Sequence, residues 1–221
     1  MRELILLRHA ETTANERGIL QGRTDYPLSA RGRRQALALT DVLVNLGTDA
    51  VYASPAGRVA ATLAPAFERA VSLGTPMPRP VVIDELEEID LGTAANLTYD
   101  EFHAQFLPGI DWDVYRRGEY RFPGGESRRD IYERASVAVD IILGGEWTRV
   151  LVAAHGGILS HFLARVLGIP FDGWIRFRLD NACFSRVAWQ GERPNLASFN
   201  DRGHLPPELR SDSFPPLFPR G

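Results

Sequence analysis

The chain has 221 residues, 44% of them hydrophobic and 24% charged, with a formal net charge of −3. That balance suits a soluble globular protein with a sizeable core; the slight acidity speaks against nucleic acid as the main partner, while allowing a small anion in a local cationic pocket. A single cysteine, Cys183, excludes an intrachain disulfide and a cysteine-rich metal site, and no apolar run approaches the ~20 residues that span a bilayer, so the cytoplasm, with no membrane partner, is the expected setting.

Residues 3–7 (ELILL) predict a short strand buried on both faces, as in the interior of a parallel sheet. Residues 16–28 predict a loop. Ser29 then N-caps a helix carrying Ala36, Leu39, Leu43 and Leu46, which stops at Gly47. AVYAS (50–54) predicts a second strand and 55–72 a second helix, with Pro65 a candidate kink. VVI (81–83) predicts a third strand. Residues 84–125 are mixed: an acidic run, a helix over about 98–106, then the Gly/Pro-rich FPGGES. From Ser127 a helix reads through Ile131, Ala135, Ala138 and Ile142 to Gly144-Gly145. RVLVAA (149–154) is the strongest strand signal. HGG follows it, and then an amphipathic segment from Ile158 to Leu167. ACFSRVAW and LASF predict two late strands, and the tail PPELRSDSFPPLFPRG an extended end.

Alternating strands and helices predict an α/β fold with a mostly parallel sheet. Such sheets bind ligands beyond the carboxyl ends of their strands. Arg8-His9, Ser54 with Arg58, and His155-Gly156 all fall at such ends, so segments distant in sequence are expected to meet on one edge.

Two arginines and two histidines together suggest phosphoryl chemistry. A guanidinium offers a fork of donors to an oxyanion. A neutral imidazole is a nucleophile toward phosphorus when one ring nitrogen is held as a donor and the other is free. The second histidine can donate to a non-bridging oxygen as charge develops. An alkoxide leaving group needs a proton, and the run DELEEID (84–90) can supply a carboxyl, which a nearby phosphate dianion would keep protonated near neutral pH. Spacing alone does not choose among Glu85, Glu87 and Glu88. Metal hydrolysis fits poorly, because HExxH is absent and the arginines would repel a divalent cation. GxSxG, GxxxxGK[ST] and GxGxxG are also absent.

LLRHAETTAN resembles the Arg-His-Gly-Glu-Thr-x-x-Asn signature of the histidine phosphatase superfamily, the phosphoglycerate mutase-like proteins. LQGRTDYPLSARGRRQA (20–36), SPAGRVAAT (54–62), LEEIDLG (86–92), PGGES and AHGG resemble that family's further blocks, in order, so the likeness covers about residues 3–205. The resemblance implies a three-layer α/β/α sandwich with a mostly parallel central sheet. It implies one domain over 1–205, a cap-like insertion at about 93–125 and a proline-rich tail at 206–221. His9 is implied as the nucleophile that becomes phosphohistidine, and Arg8, Arg58 and His155 as the phosphate pocket, with the N–H of Gly156 as a further donor. Asn15 matches a residue near the phosphate, Glu88 the acid–base position, and Gln21 and Gly22 positions that contact phosphate or the substrate near it.

Three departures stand out. Ala10 replaces the usual glycine, adding a methyl group beside the pocket. GTAANLT (92–98) lacks a frequent Trp-Glu-Gly, and Cys183 stands where a small polar residue is common. His103 and His161 are expected to be structural or exposed, and His204 is a candidate for the substrate side. Phe102, Phe106, Trp112, Tyr115 and Tyr120 either pack a core or roof the pocket.

The implied activity is a phosphomonoesterase acting on small phosphorylated metabolites without metal or cofactor. A phosphoglycerate mutase is the runner-up, disfavoured by a middle segment of only ~30 residues. A non-catalytic phospholigand-binding protein is the third expectation. A homodimer is left open.

Overall fold

The computed structural model describes residues 2–173 and 177–211. Its strands are β1 (Glu3–Arg8), β2 (Ala50–Ala53), β3 (Val81–Val82), β4 (Arg149–Ala154), β5 (Phe184–Gln190) and β6 (Arg193–Asp201). Its α-helices are α1 (Thr13–Arg17), α2 (Ala30–Asn45), α3 (Gly57–Ser72), α4 (Tyr99–Phe106), α5 (Trp112–Arg116), α6 (Arg128–Leu143) and α7 (Gly156–Val166).

The strands form one sheet in the order β3-β2-β4-β1-β5-β6. β1 lies between β4, which it pairs in parallel, and β5, which it pairs antiparallel. A strand with a neighbour on each side and helices on each face must be apolar throughout, which is why ELILL shows no alternation. The pleat sorts the side chains. Leu4, Leu6, Val150 and Val152 join one core with residues of α6 and α7. Ile5, Leu7, Val51, Leu151 and Ala153 join another with residues of α2 and α3. The result is the expected three-layer sandwich: four parallel strands, β3-β2-β4-β1, and an antiparallel pair, β5-β6, at one side.

Four expectations are corrected. The segment before Leu28 is not all loop: Thr12 and Asn15 form a capping box that starts α1, and Gly18 ends it. α3 runs unbroken through Pro65. α7 is buried at every position from Ile158 to Ala164 rather than along one face, because it packs on both the sheet and α6 and its outer side meets Phe171. The tail does not simply extend, since Pro207–Leu209 form a 3-10 turn. Leu205 and Leu209 enter the core beside α2, and Gln35 Nε2 donates to Leu209 O at 2.7 Å. The rest of the expected tail, 212–221, lies outside the described residues.

A third, smaller core holds Leu20, Leu91, Ala94, Phe102, Ile110 and Phe122, with Tyr99, Phe106, Tyr115 and Tyr120 packed around it. Of the five candidate pocket aromatics, Phe102, Phe106, Tyr115 and Tyr120 pack in or against this core, and Trp112 sits edge-on to Tyr115. Among the described residues no helix is long and apolar enough to cross a membrane.

Candidate active site

The carboxyl ends of β1, β2 and β4 bring the expected segments together. Beyond β1, His9 N–H continues the ladder to Ala154 O at 3.0 Å, which fixes the chain as it leaves the sheet. The next peptide then sets the chemistry of the ring. His9 Nδ1 lies 2.8 Å from the carbonyl of Ala10. A carbonyl only accepts, so Nδ1 carries the proton and Nε2 keeps its lone pair. His9 is 3% exposed. Burial, reinforced by the Arg8 and Arg58 guanidinium groups, pushes its pKa well below 6.5, so the ring is neutral at physiological pH.

Ala10 sits easily. Its N–H donates to Thr62 Oγ1 at 2.9 Å, and its methyl is buried in the core shared by α2 and α3. The residue is absent from the positive-φ positions, so the methyl adds no left-handed strain.

Arg8 donates from Nη1 to Leu179 O at 2.5 Å, while its buried Nε has no acceptor among the described residues. An unpaired buried N–H is costly. Arg58 is 2% exposed and is tied down by Gly22 O (2.9 Å), Thr24 O (3.0 Å) and Asp25 Oδ1 (3.1 Å). Burial lowers its pKa, opposed by the charges of Glu88 and Asp25. Its Nε donates to Nδ1 of His155 at 3.2 Å, and Nε2 of His155 meets Ser54 Oγ at 2.7 Å. The rings of His9 and His155 stand edge to face, centroids 5.2 Å apart. Burial, then Arg58, His9 and Arg8, push the His155 pKa well below 6.5 as well.

Of the acidic run, Glu88 is the residue whose carboxyl meets the helix that follows His155. Its carboxylate sits on the first turn of α7, accepting from Gly157 N (2.9 Å) and Ile158 N (3.1 Å), and also from Ile89 N (2.9 Å). These three N–H groups fix where the carboxyl stands, at the start of α7. Glu87 instead pairs with Arg23 at 3.1 Å. The Gly-Gly after His155 is explained by crowding. A Cβ on Gly157 would fall 2.5 Å from Glu88 Oε1, and one on Gly156 would fall 3.3 Å from Arg8 Nε.

The remaining expected residues take supporting places. Asn15 Oδ1 accepts from Thr12 N (3.1 Å) and Asn181 Nδ2 (3.2 Å), so Asn15 braces the loop after His9. Gln21 Oε1 lies 3.0 Å from Thr12 Oγ1, in the same brace. Gly22 holds Arg58 through its carbonyl. A cavity of ≈ 190 Å³ opens over Arg58, Glu88 and His155, with Arg23, Asp25, Ser54 and Glu87 among its walls. His204 is not among the residues lining it; its ring packs on Phe184 at 5.1 Å. His161 is buried against Tyr132 and Phe171, with its pKa pushed down to about 4 by burial, and the buried Cys183 thiol is pushed up to about 12 by burial.

Sequence reasoning placed Ser54 at the end of its strand without giving it a partner, and it missed other positioning groups. Thr62 stands at the far end of the SPAGRVAAT block, so a signal existed. Arg134 clasps the backbone carbonyls of Glu85, Glu87 and Glu88 and pairs with Glu126 of PGGES at 2.9 Å, giving that block a structural purpose. Asn181, which also donates to His9 O at 3.1 Å, had no local signal.

A neutral histidine with a free Nε2, two arginines, a second histidine and a carboxylate at a sheet edge define a phosphoryl-transfer enzyme of the phosphohistidine type. The chain belongs to the histidine phosphatase superfamily (branch 1), whose family model matches residues 4–202. Within that superfamily it is a histidine phosphatase. It is 34% identical over 183 residues to the glucosyl-3-phosphoglycerate phosphatase of Mycolicibacterium vanbaalenii, covering 79% of this chain and 78% of that protein. It is 30% identical over 200 residues to a probable phosphoglycerate mutase (GpmB) of an Enterobacter species, covering 90% and 89%. The solved structure of a mycobacterial glucosyl-3-phosphoglycerate phosphatase with VO3 superposes with a TM-score of 0.78 at 28% identity, over 90% of this chain and 99% of that one.

Proposed function

We propose that the site hydrolyses small phosphate monoesters by way of a phosphohistidine at Nε2 of His9. The observation that carries this is the Nδ1–H of His9 bonded to Ala10 O, which leaves Nε2 as a buried, neutral nucleophile between two guanidinium groups. Arg8, Arg58, His155 and the N–H of Gly156 hold the phosphoryl oxygens. Asn15 and Gln21 act through the loop after His9, which they brace, and Gly22 acts through Arg58. Nε2 attacks phosphorus in line, and Glu88 gives a proton to the leaving oxygen. Glu88 then takes a proton from the water that hydrolyses phosphohistidine. The chain's own groups supply every charge this sequence needs, so it is written without a metal.

The net charge of −3 supports a small anionic metabolite in a local pocket rather than nucleic acid, and a lone buried cysteine suits the cytoplasm. Glucosyl-3-phosphoglycerate and other phosphorylated glycerates and sugars are the substrates to try first, on the names of the relatives. A panel of phosphate monoesters assayed in chelator tests the reading. The expected result is phosphate release undiminished by chelator. Conversion of 3-phosphoglycerate to its isomer faster than phosphate release, in the presence of a bisphosphoglycerate primer, would replace hydrolysis with mutase chemistry. Tight phosphate binding with no turnover of any ester would leave only a binding protein.

A further inference from the structure

Both ring nitrogens of His155 are engaged, and their partners decide which one carries the proton. The Nε–H of Arg58 can only donate, so Nδ1, 3.2 Å away, is an acceptor. The proton of the neutral ring is therefore on Nε2 and is donated to Ser54 Oγ at 2.7 Å. Ser54 Oγ also lies 3.4 Å from the N–H of Ala56, so its lone pairs face two donors. In this arrangement His155 has no N–H left for a phosphoryl oxygen. Nδ1 is bare, and the Nε2 proton points to the end of β2. Ser54 and His155 are 3% and 0% exposed, so their bond is a buried one.

We propose that Ser54 is a positioning residue that retains the Nε2 proton of His155, so that Nδ1 is the atom that meets the phosphoryl group and takes up one proton as the group binds. The inference rests on the phosphate site proposed above. The proton arrives with the ligand. A monoanionic phosphate monoester passes its P–OH proton to Nδ1 and is held as a dianion against an imidazolium, with no other covalent bond changed. Arg58 Nε, turned away from Nδ1, then donates to the same dianion.

The charges around the ring support this. Arg58 faces it from α3, Arg8 and the neutral His9 ring from the end of β1, and Arg134 from α6, while the carboxyl of Glu88 lies against the first turn of α7. Cations dominate and burial is complete, which keeps the ring neutral until a dianion reverses the balance. A cationic donor made in this way appears only when phosphate is bound, where it stabilises the charge that develops on transfer.

The test is nitrogen NMR of the full chain labelled with 15N-histidine, titrated with inorganic phosphate near neutral pH. Without phosphate, His155 should show a protonated Nε2 and a bare Nδ1. At saturation Nδ1 should become protonated while Nε2 keeps its proton. Ser54→Ala should lose about 10²-fold in kcat with a much smaller change in KM, and should no longer show the single Nε2–H form, its fold checked by circular dichroism. If phosphate shifts the His9 signals and the His155 Nδ1 stays bare at saturation, the proton uptake is wrong and the phosphate site stands. If phosphate moves neither histidine, the site itself is misassigned and the inference falls with it. Wild-type kcat in folded Ser54→Ala overturns the positioning role.

Discussion

Gly157→Ala moves the acid–base carboxyl without altering its chemistry. The new Cβ would stand 2.5 Å from Glu88 Oε1 and 3.2 Å from its carboxyl carbon, where ordinary contact begins at 3.4 Å. The carboxylate must therefore retreat by about 1 Å, weakening its bonds to Gly157 N and Ile158 N. A displacement of about 1 Å at a reacting group costs about 10²-fold, or about 2.7 kcal/mol of barrier. The phosphate clamp of Arg8, Arg58 and His155 is untouched, so KM should change little. The helix should be no less stable, since alanine is favoured over glycine by about 1 kcal/mol in a helix. The assay compares the pre-steady-state rate of phosphohistidine formation from an alkyl phosphate, which needs a protonated leaving group, with that from an activated aryl phosphate, which does not. Phosphohistidine formation should fall about 10²-fold on the alkyl ester and much less on the aryl ester. Equal losses on both, or wild-type turnover of the alkyl ester, would refute the role of Glu88.

Ala10→Gly should lower stability by about 1 kcal/mol through a lost buried methyl and a freer backbone, with kcat within about twofold; a large rise in kcat would show that the methyl crowds the nucleophile. Thr62→Val leaves the Ala10 N–H without its acceptor, so it should cost about 1–3 kcal/mol in urea melts and reduce kcat; unchanged values on both counts would remove Thr62 from the support of His9. Stability should fall as pH drops below 6.5. His161 takes a proton near 6.5 when unfolded but only near about 4 when folded, so the unfolded state binds more protons across that window. The full loss from His161 is about 3 kcal/mol, reached at the acid end, and His9 and His155 add to it in the same direction. Equal urea midpoints at neutral pH and well below 6.5 would contradict this.

The parts of the candidate site whose convergence was legible in the sequence are those in which a strand end and its polar residue are contiguous. Leu4–Leu7 announce a buried strand and Arg8-His9 follow at once; Val150–Ala154 announce another and His155 follows. Arg58 stands four residues past Ser54 on the helix that leaves β2. Glu88 was different: three glutamates lie within four residues, and only the helix N-terminus of α7, 69 residues away, distinguishes one of them. Arg134, Asn181 and the Gln35–Leu209 bond were illegible for the same reason, since a hydrogen bond between distant segments leaves no periodicity. α1 is only five residues long, too short for a hydrophobic repeat, and is visible only through its cap. α7 misled because the pattern of a partly polar helix includes Ser160 and His161, whose burial depends on neighbours that sequence does not place.

The central claim is a phosphoryl group on Nε2 of His9, and the most direct measurement is rapid quenching during turnover followed by mass spectrometry and phosphorus NMR at alkaline pH. One acid-labile phosphate per chain, on Nε2 of His9 and absent from His9→Ala, is the predicted result. Turnover persisting in His9→Ala, with no phosphate on the wild-type chain at any time, would contradict it.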